Sequence, residues 1–254
     1  MRSQTSNPVM PNSIRQPEEF CITKGYQQQE QAHTRSTCLG ENEYWNDERI
    51  QSSKIYQYHV YRWAAELIQA HALSSLLDIG CGTGLKLQEH IVPVCNDITG
   101  IDQPAGIQAA QKLNSPGMYI EVDLERPDLQ FNRSFDLMVC ADVVEHLLDP
   151  DPMMDMIKEL STPQTLILFS TPDRARLHGK DCMASTKPEH VREWTASEFA
   201  SFLDSRGFDL LEHRFLPADN TPIEDELPIE QRFINGQSKT SPHRCQTALC
   251  KVKA

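Results

Sequence analysis

The run Leu76-Leu77-Asp78-Ile79-Gly80-Cys81-Gly82-Thr83-Gly84 constrains this chain more than any other stretch. An apolar segment ending in an acid and three alternate glycines describes a strand that turns sharply around a small ligand. Lacking Cβ atoms, Gly80, Gly82 and Gly84 let the backbone take unusual torsions and come within contact distance of that ligand. The spacing also disfavours two ligand classes. A dinucleotide fingerprint, G-x-G-x-x-G, requires glycine at 85 or 87, where Leu85 and Leu87 stand. A phosphate loop ends in Gly-Lys-Ser/Thr, whereas Gly84 is followed by Leu85 and Lys86. The expected ligand is a nucleoside-containing cofactor without a pyrophosphate.

The chain has 254 residues, 39% hydrophobic and 24% charged, enough for one large α/β core with appendages. Its longest apolar stretches are short strands such as Thr165 to Phe169, far below the ~20 residues that span a bilayer, so no membrane association is predicted. The start, Met1-Arg2-Ser3-Gln4-Thr5, lacks an apolar leader, and the expected location is the cytoplasm. Eight cysteines without a C-x-x-C pair read as free thiols. A net charge of −12 argues against a broad nucleic-acid-binding surface, which needs clustered Lys and Arg.

Residues 1–43, polar and glutamine-rich, read as a flexible N-terminal arm or cap, and 44–254 as the catalytic domain. Apolar side chains recur at helical spacing from Lys54 to Leu73. A βα alternation follows: helix 85–91, strand 98–102, helix 104–113, strand 118–123, strand 135–141, helix 152–160 and strand 165–170. Thr195-Ala196-Ser197-Glu198 is a capping box that predicts a helix over 196–206, stopped by Gly207. A strand over 208–215 comes next. Residues 216–243, with four prolines, read as a long loop near the substrate side, and 245–252 as a last strand able to pair with the preceding one. The expected architecture is a Rossmann-like α/β fold, a seven-stranded, mostly parallel sheet with helices on both faces. Ligands of such sheets bind beyond the strands' carboxyl ends, where Asp78, Asp102, Asp123 and Asp142 all fall.

The glycine run resembles motif I of the class I S-adenosylmethionine-dependent methyltransferases, and the resemblance covers residues from about 76 to 215. It implies S-adenosylmethionine as cofactor and S-adenosylhomocysteine as product. Asp102, in Gly100-Ile101-Asp102, would accept hydrogen bonds from both ribose hydroxyls. Asp123 and Leu124 would read the adenine edge. Asp78 would help orient the methionine portion, with the backbone of Gly80, Cys81, Gly82 and Gly84 lining it. Gln103, Ala141 and Asp142 complete the implied contacts, and Cys81 and Cys140 are placed beside the pocket.

Methyl transfer from a sulfonium is an in-line displacement, helped mainly by alignment and exclusion of water. A hydroxyl acceptor must also lose a proton, and histidine suits that task near neutral pH. His146 and His190 are the candidates, with Glu145 beside them. Asp142, Glu145 and His146 stand at i, i+3 and i+4, on one side of a helical turn if one forms. This pattern resembles two O-methyltransferase groups with Glu-x-x-Glu-His there, the ubiquinone-biosynthesis enzymes and the small-RNA 3'-terminal 2'-O-methyltransferases. In the RNA group a further histidine precedes Glu-Trp-Thr, as in Glu189-His190-Val191-Arg192-Glu193-Trp194-Thr195. Both resemblances imply a divalent metal, magnesium or manganese, on Asp142, Glu145, His146 and His190, although Asp142 is one methylene shorter than glutamate. The alternative is metal-free, with Asp142 and Glu145 as a solvated or cofactor-facing edge and His146 as a positioned polar residue. Trp194 reads as a packing anchor. Arg174, Arg176, Lys180 and Lys187 make a locally positive loop that could meet an anionic group or glycan.

Three functions are compatible with these residues. The first is O-methylation of a small hydroxylated molecule. The second is metal-assisted 2'-O-methylation of an RNA end read by the basic loop. The third is a catalytically inert cofactor-binding regulator.

Overall fold

The computed structural model describes residues 15–29, 46–129, 131–223 and 243–253. In chain order these form α1 (Asp47–Ser52), α2 (Tyr58–His71), β1 (Ser75–Ile79), β2 (Asp97–Asp102), α3 (Pro104–Lys112), β3 (Met118–Glu121) and β4 (Leu137–Ala141). Then come α4 (Asp151–Glu159), β5 (Leu166–Pro172), α5 (Arg174–His178), α6 (Ala196–Ser205), β6 (Phe208–Leu216) and β7 (Cys245–Val252). A π-helical turn spans Leu87–Ile91, and 3-10 turns span Pro17–Phe20 and Val144–His146. Among the described residues no helix is long and apolar enough to cross a membrane.

The seven strands form one sheet in the order β3-β2-β1-β4-β5-β7-β6. β1 to β5 run parallel, whereas β7 is antiparallel to both β5 and β6. β1, β4 and β5 are buried along their whole length, as expected of parallel strands covered on both faces. Their pleat sends alternate side chains to opposite layers. Leu77, Ile79, Met138, Cys140 and Phe169 join the aromatic face of α6, while Leu76, Leu137, Val139 and Leu168 pack on α2.

The capping box forms as predicted: Thr195 Oγ1 accepts the Glu198 N–H, and the Glu198 carboxylate accepts the Thr195 N–H. α6 then buries Phe199, Phe202 and Leu203, each contributing roughly 1.5–3 kcal/mol by leaving water. Trp194 is wholly buried against these rings, and its Nε1 donates to the Phe20 carbonyl at 2.8 Å. It is a packing anchor rather than a platform for substrate.

Part of the polar N-terminal stretch can be described. Residues 15–29 bury Phe20, Ile22 and Tyr26, and the Gln27 and Gln29 N–H groups donate to the carbonyls of Met183 and Val191. Residues 1–14 and 30–45, and 224–242 of the long loop, lie outside the described residues. A short helix not foreseen from the sequence, α1, begins at Asn46, whose side chain accepts the Arg49 N–H.

Candidate functional site

Gly80, Gly82 and Gly84 all adopt positive φ, at 77°, 55° and 70°. A side chain there would be strained, and at Gly80 a Cβ would strike Val143. The turn places the Gly82 N–H 2.6 Å from Asp102 Oδ2, while the Gln103 N–H donates to Asp102 Oδ1 at 2.7 Å. Gly106 makes room for that carboxylate, since a Cβ there would lie 2.7 Å from Asp102 Cγ. Burial raises the Asp102 carboxyl to about 6, although both amide donors and the nearby Lys86 favour its charged form.

Beyond these strand ends lies a cleft of about 620 Å³, within the range of small-molecule sites. One half is walled by Gly80, Gly82, Asp102, Gln103, Ala141 and Asp142. The other half is walled by Glu145, His146, Lys187, Glu189 and His190. α1 and the segment after it add Asn46, Ser53 and Gln57.

Several expected contacts are not brought to the cleft. Asp78 is wholly buried behind the glycine turn, where both its oxygens accept the Tyr61 hydroxyl at 3.0 and 2.9 Å. Burial raises its carboxyl to about 7, with Tyr61 and Lys86 opposing that rise. The Cys81 thiol lies beneath Gly100, and Cys140 packs on Met153, so neither lines the pocket. Gly84 sits against Tyr119 and Ser115. Asp123 accepts the Glu125 N–H at 3.0 Å and Leu124 packs on the core, because β3 ends at Glu121, short of both.

Asp142 also departs from expectation. It has φ 52°, and its oxygens accept the Ser170 hydroxyl at 2.7 Å and the Gln57 amide at 3.0 Å. Those bonds occupy its carboxylate, and the cluster of potential ligands that forms is Glu145, His146 and His190. One potential ligand atom from each lies within 4.8 Å of the others. The 3-10 turn Val144–His146 supplies the first two, and the Val191 N–H donates to the Glu145 carbonyl at 2.8 Å, tying His190's segment to that turn. Glu145 is wholly buried; Oε2 accepts the Thr171 hydroxyl at 3.0 Å, and Oε1 has no hydrogen-bond partner. Burial, then the charge of Asp142, holds its carboxyl well above the ordinary range.

The two imidazoles meet edge to face, centroids 4.8 Å apart. His146 Nδ1 lies 2.8 Å from the Glu189 carbonyl, which can only accept, so Nδ1 carries the proton and Nε2 keeps its lone pair. Burial and His190 push His146 down to about 4. His190 Nδ1 donates to Glu193 Oε1 at 2.6 Å, which leaves Nε2 as base or ligand. Burial would raise the Glu193 carboxyl, but its bonds from His190 and Ser185 hold it below the usual range. Of these supports, only Glu193 left a signal in the sequence, three residues beyond His190. Tyr61, Gln57 and Thr171 meet the site only through the fold.

The basic loop also resolves differently. Arg174 is buried, pairs with Glu198 at 2.8 Å and donates to the Glu193 carbonyl. Arg176 lies over the Phe215 ring at 3.9 Å. Among the four basic residues, Lys187 alone lines the cleft.

Strand order, glycine turn and the acid beside it define the fold of a class I, S-adenosylmethionine-dependent methyltransferase. A family model described as a methyltransferase domain matches residues 54–213, more than half the chain, and the chain belongs to that family. A ubiquinone biosynthesis O-methyltransferase of Hahella chejuensis is 27% identical over 154 residues, 55% of this chain and 64% of the relative. The chain spans about three fifths of the length of such curated relatives. Two solved structures share the fold. The plantazolicin methyltransferase BamL, in complex with a triazolic desmethylPZN analog and S-adenosylhomocysteine, aligns with TM-score 0.57 and 20% identity, covering 82% of this chain and 87% of that one. The methyltransferase domain of bacterial CtHen1-C aligns with TM-score 0.53 and 18% identity, covering 78% and 98%.

Proposed function

We propose that this chain transfers the methyl group of S-adenosylmethionine to a hydroxyl of a small molecule. The carrying observation is one cleft holding a nucleoside-type half around Gly82 and Asp102 and a proton-accepting half around His146 and His190. Asp102 keeps lone pairs for ribose hydroxyls after accepting two backbone amides. When bound, S-adenosylmethionine supplies an electrophilic methyl group. In our reading His190 Nε2 removes the acceptor's proton, with Glu193 fixing the tautomer and stabilising the imidazolium. His146, held neutral, orients His190 through their edge-to-face contact. The relatives named as ubiquinone biosynthesis O-methyltransferases support an oxygen acceptor. The negative net charge supports a small molecule over nucleic acid, and only Lys187 of the basic loop reaches the cleft to meet an anionic group.

A metal-assisted version of this reaction is favoured by one observation. The unpartnered Glu145 Oε1 stands with His146 and His190 as a three-donor set that fits a divalent cation. Two imidazoles and one carboxylate suit manganese better than magnesium. The ion would supply Lewis acidity that lowers the pKa of the acceptor hydroxyl, and His190 Nε2 would then be its ligand in place of the base.

Labelled methyl transfer to small-molecule and RNA fractions, with and without a chelator, tests both statements. Transfer to the small-molecule fraction is expected, and its loss on chelation with recovery in manganese would assign His190 Nε2 to the ion. Indifference to chelator would leave His190 as an unassisted base, and transfer confined to RNA ends would reject the small-molecule acceptor. Donor binding without any transfer would mark an inert regulator.

A further inference from the structure

Lys86 has no role in the reading above, yet its side chain reaches the same cleft beside Gly80 and Gly82. It follows the last glycine of the turn by two residues and points its ammonium back over the Tyr61 ring, 5.2 Å from the centroid. Of its three N–H donors, the one hydrogen bond seen goes to the Ser53 carbonyl and is long, at 3.5 Å. Asp78, Asp142 and Asp102 all lie within electrostatic reach. None of them is at ion-pair distance, because each is already held by other donors: Tyr61, then Gln57 and Ser170, then the amides of Gly82 and Gln103. Burial holds the lysine below its ordinary pKa. A half-buried ammonium that lines the cleft with no carboxylate at ion-pair distance marks a place for an anion.

The donor in our reading carries a sulfonium, an α-ammonium and an α-carboxylate, and only the last is complementary to a lysine. Of the other cations that line the cleft, Arg49 stands on α1 with an interaction of its own, Lys187 faces Glu145 in the acceptor half and Arg244 faces Asp219. Lys86 is the one beside the glycine turn, which in this reading carries the methionine portion. We propose that Lys86 binds the α-carboxylate of the donor's methionine portion and so selects donors with an intact amino-acid end. This rests on the reading that the cleft takes S-adenosylmethionine.

Calorimetry on the full chain with S-adenosylhomocysteine and its decarboxylated counterpart, which keeps the amine, isolates that contact. The native protein should favour the carboxylate-bearing ligand by about 10- to 100-fold, the range of a charge-assisted hydrogen bond. Lys86→Met should erase that preference while binding the decarboxylated ligand as the native protein does, which also reports that the variant is folded. Lys86→Arg should keep most of the preference. An undiminished preference in Lys86→Met, or equal weakening of both ligands, would overturn the proposal. So would a raised KM for the acceptor with unchanged S-adenosylhomocysteine affinity, which would assign the lysine to the other substrate. If the native protein bound neither ligand, the donor reading would fall and this proposal with it.

Discussion

His190→Ala is expected to lower kcat/KM by about 10²- to 10⁴-fold, the usual worth of a positioned general base or metal ligand, with S-adenosylhomocysteine affinity unchanged. The expectation follows from the position of His190, which lines the cleft, donates through Nδ1 to a buried carboxylate and keeps Nε2 for the acceptor or an ion. Glu193→Gln should cost less, since it removes the charge behind the imidazole but leaves an oxygen able to accept. Steady-state kinetics with a labelled donor would check both. Turnover retained in His190→Ala would remove this histidine from the mechanism.

The second large effect is on stability. Arg192 is wholly buried one residue before Glu193, where Nε donates to Gln28 Oε1 at 2.6 Å and the two terminal nitrogens donate to the Leu147 and Leu148 carbonyls at 2.7 and 2.8 Å. Its guanidinium lies 3.8 Å from the Phe20 ring centroid. Burial pulls it down to about 9, and these acceptors with the ring keep it tolerable inside. It joins the N-terminal stretch, the residues after His146 and the segment carrying His190. Arg192→Ala would strip three half-buried acceptors of their donor and open a void around a wholly buried side chain, which should destabilise the fold by about 3–5 kcal/mol. Arg133, paired with Asp97 at the exposed surface, is the control and should cost at most about 1 kcal/mol on the same change. Urea unfolding of both variants gives the comparison, and a cost below about 1 kcal/mol for Arg192 would contradict the clamp.

What could be read from the sequence follows from how local each signal is. The glycine turn, the α6 capping box and the short buried strands are dictated by neighbours in the chain, and each formed within a few residues of expectation. Asp102 was legible because a strand end fixes which way its carboxylate faces. Asp142 reaches the cleft but not the carboxylate–histidine cluster, because one residue in a left-handed conformation turns its side chain to Ser170, a partner on the adjacent strand. Asp78 looked like a cofactor contact until α2 brought the Tyr61 hydroxyl onto it. Arg174 looked available because its partner Glu198 lies on a helix whose packing no local pattern reveals.

The central claim is that the cleft beside Gly82 and Asp102 takes an adenosyl donor, and isothermal titration with S-adenosylhomocysteine tests it most directly. One ligand per chain should bind, and Asp102→Ala should weaken it by about 1–3 kcal/mol through loss of the ribose contacts. No binding heat with the native protein, or equal affinity in Asp102→Ala, would contradict the account.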